Sequence, residues 1–279
     1  MNEPLHELAL SRDEVAQILR VCEGRALLVG GQALAFWAQH FQIQPLDELA
    51  VNVTLDADFL GGRDIARDVS QSLKADGWTL WEAAFDDATA QSAKLSKRVE
   101  GLGIKQIDFL SSIIGLDNQQ IKKRAVKLTL PGGVTLLVLH PLDVLASRLH
   151  NLAALSSKRN SQGVAQARLA LDVVRSFIEQ VVNTAHDDPR RLLNAIERVV
   201  QIAQDKKLER VMYQYDLNPL AAVPAEQIEV EEFRARRWPQ ILQYSEQRRR
   251  AYLQGIPALK LSSPESPATT PADDETPTP

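Results

Sequence analysis

Two short motifs constrain this chain more than anything else in it: Leu28-Val29-Gly30-Gly31-Gln32-Ala33-Leu34 and Thr54-Leu55-Asp56-Ala57-Asp58-Phe59-Leu60. The first is an apolar run that ends in two glycines, after which the pattern turns helical. The second alternates polar and apolar residues as a strand does. Alternate residues of a strand share a face, so Asp56 and Asp58 point one way and Leu55, Ala57 and Phe59 the other. Two like charges held that close repel unless a cation lies between them. The pattern predicts a magnesium site beside a glycine turn; a solvent-facing strand edge is the plainer alternative.

Composition bounds the rest. At 279 residues the chain exceeds the ~100–200 residues of one ordinary domain. Its 44% apolar content supports a sizeable core. The net charge of −4 comes from 36 acids against 32 bases. Residues 261–279 carry Glu265, Asp273, Asp274 and Glu275 and no base, so the remaining 32 acids balance the 32 bases. There is no global basic signature for nucleic acid. Cys22 is the single cysteine, which excludes an internal disulfide and a thiolate metal cluster. The N-terminal residues predict no signal peptide, and no apolar run reaches the ~20 residues of a membrane span. A cytoplasmic protein without membrane contact is expected.

Periodicity gives the organisation. Ser11-Arg12-Asp13-Glu14 has capping-box spacing and opens a helix. A short buried strand over 26–29 leads through the glycines into a helix over 33–41. The acid-bearing strand over 51–60 ends at Gly61-Gly62, and a helix over 64–74 follows. Further strands are expected over 78–81, 92–99 and 104–110, the last with Asp108 and Gln106 on one face. A helix near 117–123 precedes a hairpin, 126–130 and 134–139, around Pro131-Gly132-Gly133. From Pro141 the pattern is helical over 141–156, 161–183, 189–205 and 225–253, the last interrupted at Pro239. The fold class expected is α+β: a mixed β-sheet domain over 1–139, a helical domain over 140–256, and a disordered tail over 257–279 rich in Pro, Ser, Thr and acid.

Metal-assisted phosphoryl and nucleotidyl transfer uses ions ~3.5–4 Å apart that carboxylates clamp. Asp56 and Asp58 supply two carboxylates, and Asp108 supplies a third if its strand lies alongside with polar faces aligned. Gly30-Gly31 lets the backbone approach a phosphate, and the start of the following helix adds positive potential. On its own a glycine pair is as well explained by a plain strand-to-helix turn. Arg148 lies on the helix that Pro141 opens, either as a phosphate contact or as a side chain snorkelling from a core face. The C-terminal helix interleaves Arg234, Arg236, Arg237, Arg248, Arg249 and Arg250 with Trp238, Tyr244 and Tyr252. That is a pattern able to stack on RNA, or a salt-laced helix.

Gly30, Gly31, Ala33 and Leu34, then Asp56 and Asp58, then Asp108, then Pro141-Leu142-Asp143-Val144-Leu145 resemble the nucleotidyltransferase superfamily over roughly residues 20–180, in particular its abortive-infection-type toxins. The resemblance implies a nucleotidyltransferase-like sheet domain. Gly30, Gly31, Gln32 and Arg148 would bind the nucleotide. Asp56, Asp58 and Asp108 would bind Mg2+, and Asp108 would also act as base toward an acceptor hydroxyl. Gln32 stands where the family often has Ser or Thr, and Arg148 where it usually has Lys. The resemblance further implies a nucleoside triphosphate substrate, a tRNA, protein or small-molecule acceptor, a cognate antitoxin and a role in phage defence. A catalytically inert relative that binds nucleotide or docks a partner is the competing expectation.

Overall fold

The computed structural model describes residues 6–44, 57–84, 87, 89–129, 133–184 and 188–255. Thr54, Leu55 and Asp56, Pro131-Gly132 of the hairpin turn, and the 257–279 tail lie outside the described residues.

The strands are β1 (Leu27–Leu28), β2 (Ala57–Leu60), β3 (Thr79–Glu82), β4 (Gln91–Val99), β5 (Gly103–Leu110), β6 (Val126–Thr129) and β7 (Thr135–Val138). They form one mixed sheet in the order β3-β4-β5-β2-β1-β7-β6. The pairs β2–β5 and β1–β7 are parallel; the others are antiparallel. The first half of the chain adds helices α1 (Arg12–Cys22), α2 (Gly30–His40), α3 (Arg63–Ser72) and α4 (Asn118–Arg124). The second half adds α5 (Pro141–Ala154), α6 (Ser161–Thr184), α7 (Pro189–Gln204), α8 (Glu209–Gln214) and α9 (Trp238–Leu253). The mixed sheet followed by helices is the architecture the sequence pattern implies.

Local chemistry explains the boundaries. Ser11 and Glu14 exchange the two bonds of a capping box, at 2.7 and 3.2 Å, and satisfy donors the helix would otherwise leave open. Pro141 occupies the first turn of α5, where a missing N–H is harmless, and His140 caps it by accepting from Leu142 N at 3.2 Å. The C-terminal stretch departs from expectation. Instead of one helix over 225–253, a 3₁₀ turn at Ala225–Gln227 and a π turn at Phe233–Arg237 precede α9, and Pro239 sits in the first turn of α9. Pro cannot continue a helix from its N-terminal side, so the regular hydrogen-bond ladder restarts there. Helix α8, six residues long, has no counterpart in the sequence reading.

One continuous core joins the sheet to the helices. Phe59 and Phe109 stack 5.7 Å apart on one face of β2 and β5. The α5 and α6 residues Leu145, Leu149, Ala170 and Val174 are fully buried in the same cluster. The indole of Trp37 in α2 donates to the Leu139 carbonyl at 2.7 Å, fastening α2 to the start of α5. As a result α2 and α5 run beside each other, and the first turn of α2 faces the middle of α5.

Candidate functional site

The site is built on a row across the sheet. Strands β2 and β5 are parallel with Asp58 directly beside Asp108, and β4 places Lys94 directly beside Asp108. Paired residues on neighbouring strands project from the same face. The polar face therefore reads Lys94, Asp108, Asp58 in order, opposite the stacked phenylalanines. The acid-bearing strands are adjacent with polar faces aligned, as the sequence argument required. Asp56, two residues before Asp58, lies outside the described residues.

Next in the row comes the glycine turn. Val29 N donates to the Asp58 carbonyl at 2.9 Å, which ties the turn to β2. Gly30 has φ of +64°, a left-handed conformation that costs a non-glycine residue about 1–2 kcal/mol. A Cβ placed on it would lie 1.9 Å from Asp58 Oδ2. Both the backbone and the space demand glycine, because the turn is packed directly against the carboxylate.

Asp108 is half-buried. It accepts from Gln91 Nε2 at 2.6 Å, and Lys94 Nζ lies 3.6 Å away. Burial raises its carboxyl above the ordinary value, and Lys94 and Gln91 pull it back toward the charged form. Lys94 also donates to Gln106 Oε1 at 2.7 Å, which holds it over the polar face.

Opposite the acids stands Arg148. Only 9% exposed, it donates from Nη1 to Gln166 Oε1 at 3.1 Å, while its Nε is buried without a partner. Burial pulls its pKa down and the charge of Asp58 pushes it back up. It does not snorkel to solvent. A guanidinium buried with part of its donor fork unused is expensive, and the open side of this one faces a cavity.

That cavity has a volume of about 520 Å³. Gly30, Gly31 and Asp58 form one wall and Arg148 with Gln166 another. Lys158, an exposed residue on the loop between α5 and α6, lies at the rim. Arg159 holds that loop by donating to the carbonyls of Leu152 and Ala153 at 2.9 and 2.7 Å, and Asn160 Oδ1 accepts from Gly163 N at 2.8 Å. Of the expected site residues, Gly30, Gly31, Asp58 and Arg148 share this cavity. Asp108 lies one strand over from Asp58, and neither Asp108 nor Gln32 is among the lining residues.

Several residues here escaped the sequence reading. Glu7 lines the cavity from an N-terminal segment that bridges to Ile104, and it accepts from Gln106 Nε2 at 3.3 Å. Gln166 holds Arg148. Lys94 could have been found, since the alternation of β4 puts it on the face opposite Ala93 and Leu95, which are fully buried. Glu7 and Gln166 carry no local signal, because only the chain's return places them there.

Among the described residues no group of three His, Cys, Asp or Glu side chains converges to hold a metal. The donor chemistry of Asp58 and Asp108 nevertheless fits a hard divalent cation: two carboxylates side by side, with a cradle at Gly30 that a Cβ would fill.

The C-terminal arginines are mostly spoken for. Arg248 pairs with Glu209 and Arg234 with Glu231; Arg249 lies 2.8 Å from Asp216 and Arg250 2.9 Å from Glu246. Arg236 and Arg237 make no such pair among the described residues. This is the salt-laced alternative rather than an open cationic face. No helix among the described residues is long and apolar enough to cross a membrane.

No protein-family model matches this sequence, and no curated protein matches it. Among solved structures, the Megavirus polyadenylate synthase is similar with a TM-score of 0.37 and 13% identity, over 64% of this chain and 37% of that one. This chain thus spans well under half the length of that enzyme. Likeness at that level bears on neither the residues of the cavity nor the reaction.

Proposed function

We propose that the chain is a nucleotidyltransferase that binds a nucleoside triphosphate in the cavity between the glycine turn and α5. The observation that carries the reading is the opposition of Asp58, with Gly30 packed against it, to a buried Arg148 whose Nε has no partner. An anion that reaches Arg148 would complete the hydrogen bonding of its Nε, and the carboxylate of Asp58 on the facing wall is an oxygen ligand of the kind a hard cation takes.

In this reading the triphosphate lies against Gly30 and Gly31, where the absence of side chains lets the backbone come close. Arg148 neutralises phosphate charge from within, and Lys158 does so from the rim. Asp58 and Asp108, with Asp56 as the third carboxylate, would hold magnesium. When bound, the ion offsets charge on the triphosphate and lowers the pKa of an attacking hydroxyl. The acceptor oxygen then attacks the α-phosphorus in line, a new P–O bond forms, and pyrophosphate leaves. Asp108, its pKa raised by burial, would take the hydroxyl proton. Gln91 and Lys94 orient it. Whether the acceptor is a tRNA, a protein or a small molecule, and whether the chain serves as a phage-defence toxin with a cognate antitoxin, rests on the resemblance of the glycine turn and acidic strands.

A second reading has its own support. Asp108 already has Lys94 and Gln91 as partners, and Arg148 already faces an acid. A site whose acids are already faced by protein cations would bind a nucleotide at Arg148 without turning it over.

The test is incubation with each labelled nucleoside triphosphate and magnesium in cell extract, with binding and pyrophosphate release followed separately. Release that disappears in Asp58→Asn is the expected result. Binding without release selects the inert reading, and release undiminished in Asp58→Asn overturns the mechanism.

A further inference from the structure

A second cavity, of about 540 Å³, opens at the other ends of α2 and α5. Its volume lies within the ~300–1,000 Å³ of small-molecule sites. The two cavities share helices but no lining residue: Gly30 and Gly31 begin α2 in the first, whereas Trp37 and His40 end it in the second.

Its floor is apolar, with Trp37, Leu128, Leu142 and Phe177. Its polar wall is unbalanced in charge. Asp143, 3% exposed, accepts from Arg124 through Nε at 3.0 Å and Nη2 at 2.9 Å, and from Arg198 Nη2 at 2.7 Å. Two guanidinium groups thus face one buried carboxylate and leave one positive charge in excess. Arg198 is half-buried and lines the cavity, and its other N–H groups have no partner among the described residues. Arg191 adds a second cation at the exposed rim. Among the described residues, none of those lining the cavity is an Asp or Glu.

His140 adds a donor to the same wall. Its Nδ1 accepts from Leu142 N, and burial together with Arg198 and Arg124 pushes its pKa down to about 4. At neutral pH the ring is uncharged with its proton on Nε2. Arg198, Arg191 and the Nε2–H of His140 are thus donors set over an aromatic floor.

We propose that this second cavity is a ligand site for a small organic anion, an aromatic or branched apolar body on Trp37, Leu128 and Phe177 with its carboxylate at Arg198 and Arg191. The charge left over by the Asp143 cluster favours an anion, and the apolar floor favours one that carries a hydrophobic group.

Calorimetric titration of the full chain with naphthoate, and with uncharged naphthylmethanol as its counterpart, tests this. Saturable binding of naphthoate is expected, and naphthylmethanol should bind at least about tenfold more weakly. Arg198→Gln should weaken naphthoate by a similar factor. Because Arg198 also supports Asp143, Arg191→Gln, an exposed position, provides the second variant, and a several-fold loss is expected. Absence of saturable naphthoate binding, equal binding of the alcohol, or wild-type affinity in folded Arg191→Gln and Arg198→Gln would each overturn the proposal.

Discussion

Arg148 and the arginines of the C-terminal helix are the same residue type in opposite circumstances. Arg148 is buried, holds one hydrogen bond and leaves Nε bare beside a cavity. Arg248, Arg249 and Arg250 lie at or near the surface, each beside an acid. Arginine count alone would have drawn attention to the second group. What sets Arg148 apart is unfinished hydrogen bonding at a site shielded from water, where the missing partner has a large energetic consequence. Charge already matched by a neighbouring carboxylate in solvent contributes little and asks for nothing.

The sharpest way to break this comparison is at the wall Arg148 faces. Gly30→Ala combines a left-handed backbone with a direct collision on Asp58. A loss of about 1–2 kcal/mol from the backbone alone, with more from the displaced carboxylate, is expected in urea unfolding. Nucleotide binding should fall with it. A Gly30→Ala protein of native stability and full binding would remove the glycine turn from the site.

Arg148→Met comes next. Replacing a poorly satisfied buried cation with an apolar side chain of similar length should leave the melting temperature of the free protein unchanged or higher. The same change should weaken triphosphate binding at least about tenfold, since charged hydrogen bonds contribute roughly 1.5–3 kcal/mol. Thermal shift with and without nucleotide separates the two effects. A destabilised protein whose nucleotide-induced shift is intact would mean that Arg148 is structural.

The smallest effect is expected at Arg250→Ala, which removes an exposed pair with Glu246 four residues away. A change of no more than about 0.5 kcal/mol in stability, and none in nucleotide binding, should be seen. If instead it abolished transfer to an RNA acceptor, the helix would have a role its paired charges do not suggest.

The resolution of the site from sequence was uneven for physical reasons. Gly30-Gly31 and the polar alternation around Asp58 and Asp108 are local signals: a left-handed glycine and a period of two are properties of consecutive residues. They placed the turn and the acid strands, and strands β3, β4 and β5 followed from the same alternation. Pro141 and the capping box at Ser11 marked helix starts for equally local reasons. The stretch from 205 to 237 was harder to read, because 3₁₀, π and short α turns have no strong period of their own and form where packing requires them. Gln32, next to the glycines in sequence, is not among the lining residues, and successive residues of a helix project in different directions.

Sequence by itself determined the glycine turn, the facing of Asp58 and Asp108 on their strands, and the change from sheet to helices at Pro141, because each depends on backbone geometry within a few residues. Only the tertiary structure decided that β2 lies parallel to β5 with Asp58 beside Asp108, that Arg148 ends buried opposite them, and that Glu7 and Gln166 join the same cavity. Those placements depend on strand order and on α5 and α6 packing back against α2, contacts between residues tens to over a hundred positions apart that no local pattern encodes.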